Sequence, residues 1–243
     1  MLIQLLQINP NSYRLSENEV VKLLNPSADL IVLPEFWLTP FKPSDVVLNI
    51  KFAENFLKPF LEFHEQYPKT TICTGSAPIM LRGQVFNTAF TIGNNNGKQI
   101  VAQYSKTNLF EPMQEPEVIR PGRDCINDTI PVQPFTIAEK TVNLQMAICY
   151  DLRFPHIFTA NKGGLTILPA QWPLERHGVY DSLLRARAVD NNLLIVSCNA
   201  FGRSRIYGPG NDDIFYDDNS QNSSNLVEID ANIFSRLRPY CYR

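Results

Sequence analysis

Val142-Asn143-Leu144-Gln145-Met146-Ala147-Ile148-Cys149-Tyr150-Asp151 begins as an apolar run and breaks at its end into a thiol followed by polar residues. Runs this apolar fit strands covered on both faces, and such strands belong to sheets flanked by helices. Two more islands share the form: Ile31-Val32-Leu33-Pro34-Glu35 ends on a carboxylate, and Ile100-Val101-Ala102-Gln103-Tyr104-Ser105-Lys106 on an ammonium. A thiol, a carboxylate and an ammonium at three strand ends supply a nucleophile, a proton acceptor and an electrophilic stabiliser, the set that covalent acyl transfer requires.

Working outward, strands are expected over 2–8, 29–33, 70–74, 89–92, 100–104, 142–148, 165–168 and 193–198, alternating with helical stretches. Residues 44–67 carry Phe52, Phe56, Phe60 and Phe63 at spacings of three and four, which predicts one long helix capped by Ser44-Asp45, its aromatic stripe packed into the core. A short helix is expected near 16–24 and another over 154–162, ended by Gly163-Gly164. A further helix, over 181–192, would turn Leu183, Leu184, Ala186 and Val189 inward. Asn94-Asn95-Asn96-Gly97 signals a hairpin turn, and the polar stretch 211–225 reads as a mobile surface loop before a last strand at 226–229. Without repeats or a Pro/Gly/Ser-rich linker, residues 1–243 read as one domain with one large core.

A net charge of -2 and a pI near 5.9, with scattered Lys and Arg, argue against nucleic-acid binding. Residues 1–10 read as a strand rather than a signal peptide, and no apolar run reaches the roughly 20 residues a bilayer span needs, so a soluble, cytoplasmic protein is expected. Cys73, Cys125, Cys149, Cys198 and Cys241 show neither a disulfide framework nor a CxxC pair, and the Asn-x-Ser/Thr matches at Asn127 and Asn222 read as chance.

Cys149 is the expected nucleophile because it stands where a strand gives way to a turn whose backbone N–H groups point outward. Cys73 and Cys198, inside strands, read as structural. Glu35 would take the thiol proton and return one to the leaving nitrogen, while Lys106 and the Tyr150 N–H hold the oxyanion. Of the competing histidines, His64 lies on the long helix and His156 only seven positions after Cys149, which leaves His177 as the one partner for a Cys-His dyad. Their spacing does not suggest a metal centre, and no cofactor is expected.

At these residues the sequence resembles the nitrilase superfamily of carbon-nitrogen hydrolases. Matching pieces run through nearly the whole chain: Leu33-Pro34-Glu35, Gly75-Ser76 with Asn87, Lys106 with Leu109-Phe110, Pro121-Gly122, Cys149-Tyr150-Asp151-Leu152-Arg153-Phe154-Pro155, 183–188, and Asn199. The resemblance implies a four-layer α-β-β-α sandwich, commonly paired into a homodimer through helices, with Glu35 as base, Lys106 as oxyanion stabiliser, Cys149 as nucleophile and Glu115 as a supporting glutamate, Glu111 being the nearby alternative. The segment from Cys149, with Gln171-Trp172-Pro173-Leu174-Glu175-Arg176, is most similar to the ω-amidase branch, which removes terminal ammonia from small dicarboxylate mono-amides. For such a substrate's free carboxylate Arg176 is the expected cation, while Arg153 reads as a buried structural partner of Asp151. Trp172 and Tyr180, with Phe36 or Trp37 opposite, are candidates to wall the pocket. An N-carbamoyl amino acid hydrolase, a nitrilase and a catalytically inactive binding protein are the alternatives. The chain departs from the pattern at Asn108, where relatives usually carry histidine, at Asp190-Asn191, in a loop missing between Asn199 and Gly202, and beyond Gly210.

Overall fold

The computed structural model describes residues 1–12, 14–95, 98–122, 131–210, 214–215 and 222–237. Its elements, in chain order, are β1 (Leu2–Ile8), α1 (Glu17–Val21), β2 (Leu30–Val32), α2 (Pro43–Leu48), β3 (Lys51–Phe52), α3 (Ala53–Gln66), β4 (Thr71–Leu81), β5 (Gln84–Asn95) and β6 (Lys98–Ser105). There follow α4 (Glu115–Val118), β7 (Val132–Ile137), β8 (Lys140–Met146), β9 (Leu165–Ala170), α5 (His177–Asn191), β10 (Leu194–Asn199), β11 (Arg205–Tyr207), β12 (Ile214–Phe215), β13 (Asn222–Glu228) and α6 (Ile233–Arg236).

The strands form two sheets. One is ordered β13-β1-β2-β4-β5-β6 with β3 on the end of β4, and the other β12-β11-β10-β9-β8-β7. Because side chains alternate along a strand, β1, β2 and β4 split their apolar residues between two cores. Leu5, Val32 and Cys73 meet Leu144, Met146, Ile167 and Val196 of the opposite sheet. Leu6, Ile31 and Ile72 meet Phe56, Phe60 and Phe63 of α3 on the outer face. Tyr180, Leu184 and Ala188 of α5 join the core on the far side. The layers are therefore helix, sheet, sheet, helix, as the resemblance implied.

Four local expectations need correction. The helix expected over 44–67 is two helices separated by β3: the chain leaves α2 at Asn49, whose side-chain amide bonds back to Asp45 O at 2.7 Å and Thr39 Oγ1 at 3.2 Å. It starts at Pro43, not under a Ser44-Asp45 cap, and Phe52 is 57% exposed in extended backbone instead of joining the stripe. The segment expected as an α-helix over 154–162 is a 3-10 helix, Pro155–Asn161, ended at Gly163 with φ +77°. Helix α5 begins earlier than expected, at His177, and Val189 faces outward at 43% exposure. Finally, residues 222–225 are strand, not loop: β13 pairs antiparallel with all of β1, and the hydroxyls of Ser224 and Ser223 accept hydrogen bonds from Gln4 and Gln7, each at 2.7 Å. The rest of the polar stretch, apart from 214–215, lies outside the described residues, as do Asn96, Gly97, Cys125, Asn127 and Cys241. α1 carries a complete capping box between Ser16 and Glu19.

Candidate active site

Three chain reversals place the reactive side chains. After β2, Glu35 bridges to Ser76 of β4, and its N–H donates to Ala170 O at 3.3 Å, which ties it to both sheets. Gly75 makes the approach feasible: its φ is +66°, and a Cβ there would lie 2.2 Å from Pro34 O. Lys106 is clamped from both sides, its N–H donating to Asn87 O and its carbonyl accepting from Gly122 N, both at 2.8 Å. A Cβ on Gly122 would sit 2.1 Å from Ser105 O, so this contact also requires glycine.

Cys149 opens a 3-10 helix at φ +45°, a left-handed conformation that costs a residue with a Cβ about 1–2 kcal/mol. Asp151 holds that turn. Its buried carboxylate accepts from Ile148 N (3.0 Å), Tyr104 Oη (2.8 Å), Asn108 N (3.0 Å) and Asn108 Nδ2 (2.9 Å). Asn108, the residue that departs from the family pattern, thus has a local task. Phe36 at φ +46° and Gln114 at φ +57° stand beside Glu35 and Glu115, so left-handed backbone recurs at the site.

Side chains meet in a closed network. Lys106 Nζ donates to Glu35 Oε1 and Glu115 Oε2, each at 2.9 Å, and Asn87 Nδ2 donates to Glu35 Oε1 at 2.9 Å and Glu115 Oε1 at 3.0 Å. Backbone N–H groups complete the carboxylates, Gln171 to Glu35 Oε2 at 3.1 Å and Phe110 to Glu115 Oε2 at 2.7 Å. All four side chains are buried. Burial works against the Lys106 charge, yet Glu115 and Glu35 prevail and hold its pKa well above the usual lysine value. Burial pushes the Glu115 carboxyl up. Burial also pushes the Cys149 thiol well above its usual range, reinforced by the Glu35 carboxylate to which it is hydrogen-bonded and only partly opposed by Lys106. The outward N–H groups expected to favour the thiolate are outweighed, so the thiol rests protonated beside a base.

Glu35, Lys106 and Cys149 of this group line a cavity of about 590 Å³, with Asn87 and Glu115 behind them. Tyr150, Arg153, Gln171, Trp172 and Arg176 also line it. Phe36 and Tyr180, expected as wall residues, stand behind the wall. Phe36 is fully buried against Phe41, with ring centroids 5.2 Å apart; Tyr180 lies under Trp172 at 5.4 Å, its hydroxyl paired with Ser197. Trp37 is core, against Phe56 and Phe60. His177 is taken up by Trp172 O and Asn199 and does not line the cavity.

Arg153 needs the largest revision. It is exposed and makes no ion pair with Asp151, whose oxygens are already used. Its guanidinium lies 5.3 Å from the Trp172 ring and 5.8 Å from the Tyr150 ring, inside the cavity. Arg176, also exposed, sits 6.0 Å from the Phe110 ring and lines the same cavity. Sequence reasoning gave no role to Asn87, to Gln171, whose buried Nε2 has no partner among the described residues, or to Asn199. The Asn199 amide accepts from Trp172 N at 2.6 Å and donates to Trp172 O at 3.0 Å, fixing the segment that carries Gln171 and Trp172. The available signal was position for two of them: Gln171 lies just past the end of β9 and Asn199 ends β10, like the residues that were found, whereas Asn87 lies inside β5. Among the described residues no group of three His, Cys, Asp or Glu is placed to hold a metal ion, and no helix is long and apolar enough to cross a membrane.

Two stacked sheets with a buried carboxylate and ammonium and a half-buried thiol at their strand ends define a class, the hydrolases that cut carbon-nitrogen bonds. The carbon-nitrogen hydrolase family model matches residues 15–231, and the chain belongs to that family. A Staphylococcus aureus protein described as a hydrolase in the agr operon is 33% identical over 187 residues, covering 74% of this chain and 67% of its own. The 2-oxoglutaramate amidase of Bacillus subtilis is 29% identical over 182 residues, covering 72% of this chain and 64% of the amidase. The structure of Saccharomyces cerevisiae Nit3, a member of branch 10 of the nitrilase superfamily, shares the fold with a TM-score of 0.75 at 20% identity, over 97% of this chain and 92% of that one.

Proposed function

We propose that the protein is a thiol amidase that releases ammonia from a small amide bearing a free carboxylate. The observation that carries this reading is the network of Glu35, Lys106 and Glu115 set against the Cys149 thiol at the closed end of the cavity. Because the thiol rests protonated, Glu35 removes its proton as sulfur attacks the amide carbon. The oxyanion is held by Lys106 Nζ and the Tyr150 N–H. Glu35 then passes its proton to the departing nitrogen, ammonia leaves, and Cys149 carries the acyl group as a thioester. Water, deprotonated by Glu35, hydrolyses the thioester to the acid and returns the thiol. Glu115 touches Lys106 and not the substrate, so its part is to position the ammonium.

The amidases among the relatives support an ω-amide substrate, and the geometry revises which cation meets its carboxylate. Arg153 lies 5.3 Å from the Trp172 ring and 5.8 Å from the Tyr150 ring, the residues that follow Gln171 and Cys149 in the chain, and has no ion pair in the described structure. It, and not Arg176, takes the carboxylate, with the free Gln171 Nε2 as a second donor. By resemblance, subunits pair through helices, a role suited to α5, whose Val179 and Val189 are 44% and 43% exposed. The test is ammonia release by wild type and Cys149→Ala against succinamate, 2-oxoglutaramate, N-carbamoyl-β-alanine, propionamide and propionitrile. Release confined to the two carboxylate-bearing ω-amides and lost in the variant is expected. Turnover retained by Cys149→Ala, or silence on every amide, overturns the reading.

A further inference from the structure

A four-carbon ω-amide has about eight non-hydrogen atoms, whereas cavities of about 300–1,000 Å³ house drug-sized ligands. At about 590 Å³ this cavity is far larger than the proposed reaction needs. The surplus is unlike the inner end. Glu35 and Lys106 are almost wholly buried, whereas Phe41, Phe110 and Phe201 of the lining are half-buried and Pro112 and Met113 exposed, Met113 at 44%, alongside the exposed Lys42, Glu175 and Arg176. An exposed methionine in one lining with three half-buried phenylalanines is apolar surface that the described residues leave uncovered.

We infer that this outer half is a second substrate subsite, which takes an apolar, preferably aromatic, substituent on the acyl chain of the amide. The inference rests on the proposed amidase reading and names its substrate class more closely: amides that carry a bulky apolar group as well as the carboxylate. Three features set the order of contacts. The amide meets Cys149 at the buried end, and the carboxylate meets Arg153 partway out. Beyond it, the substituent lies against Met113, Phe41 and Phe201. Phe201, in the segment between Asn199 and Gly202 where the resemblance implied a missing loop, lines the cavity wall.

Binding to Cys149→Ala, which cannot turn over, tests this with two pairs of ligands by calorimetry: succinamate beside 2-benzylsuccinamate, and propionamide beside 3-phenylpropionamide. The phenyl group is expected to lower Kd about tenfold within each pair, the low end of what apolar pockets discriminate. Adding Met113→Glu should erase that ratio, and Met113→Ala should reduce it in part. Equal Kd values within both pairs overturn the subsite, whatever the carboxylate does. If the phenyl effect appears but the carboxylate pair binds no better than the neutral pair, the subsite stands and the carboxylate reading falls. No binding by any of the four overturns both.

Discussion

The inner end of the cavity and its mouth differ in how their charges are held. At the inner end Glu35, Lys106 and Glu115 are buried, and each is joined to at least one of the others or to Asn87 at 2.9–3.0 Å. At the mouth Arg153 and Arg176 are exposed and rest on aromatic faces at 5.3–6.0 Å, with no ion pair to fix them among the described residues. Desolvated, fully bonded groups are rigid and expensive to alter, whereas solvated cations over rings shift at little cost. The first region suits chemistry that does not vary; the second suits recognition that does.

Substitutions should therefore fall into two kinds. Cys149→Ala is expected to lower kcat by at least about 10⁴-fold, with the melting temperature nearly unchanged because the side chain is only partly buried. Glu35→Gln should lower kcat by about 10³-fold, since the amide keeps the hydrogen bonds to Asn87 and Gln171 in part but accepts no proton. For Glu115→Gln the expected loss is about 10²-fold in kcat with KM within about threefold; a rise in KM alone would mean that Glu115 meets substrate directly. At the mouth the signature reverses. Arg153→Gln should raise KM for succinamate about tenfold or more while leaving propionamide unaffected, in line with a charge-assisted hydrogen bond, and Arg176→Gln should raise it less than about threefold. Equal effects of the two arginine variants would erase the distinction drawn between them.

The smallest effect concerns the core beneath. Burial pushes the Cys73 thiol up from 9.0 to about 12. A group whose folded pKa is raised contributes stability that is complete below its unfolded pKa and lost as pH climbs towards the folded one. Stability should accordingly fall above pH 9, by about 1.4 kcal/mol per pH unit for this thiol. Urea midpoints at pH 8, 9 and 10 would show the slope, and Cys73→Ala should make it shallower.

The same contrast explains what the sequence revealed. Glu35, Lys106 and Cys149 were legible because each follows an apolar run and stands in an ordered set of islands; the runs too apolar to be half exposed gave a sheet covered by helices, and the two-sheet layering came from the family resemblance. Arg153 was misread because adjacency to Asp151 suggests a pair, while the actual partners of Asp151, Tyr104 and Asn108, come from a segment more than forty residues away. The break between α2 and α3 was hidden because phenylalanines at helical spacing continue across it, and it depends on Asn49 bonding to Thr39. β13 was obscured because its partners are buried glutamines of β1, so its serines read as loop. Contacts distant along the chain decide each of these.

Two glutamates sharing one lysine leave the inner end of the cavity with a surplus negative charge whenever both are ionised. In the proposed reaction the reacting end of the substrate enters uncharged and becomes a carboxylate at that spot. The amide thus enters that end with no charge to be repelled, and the acid leaves it carrying one.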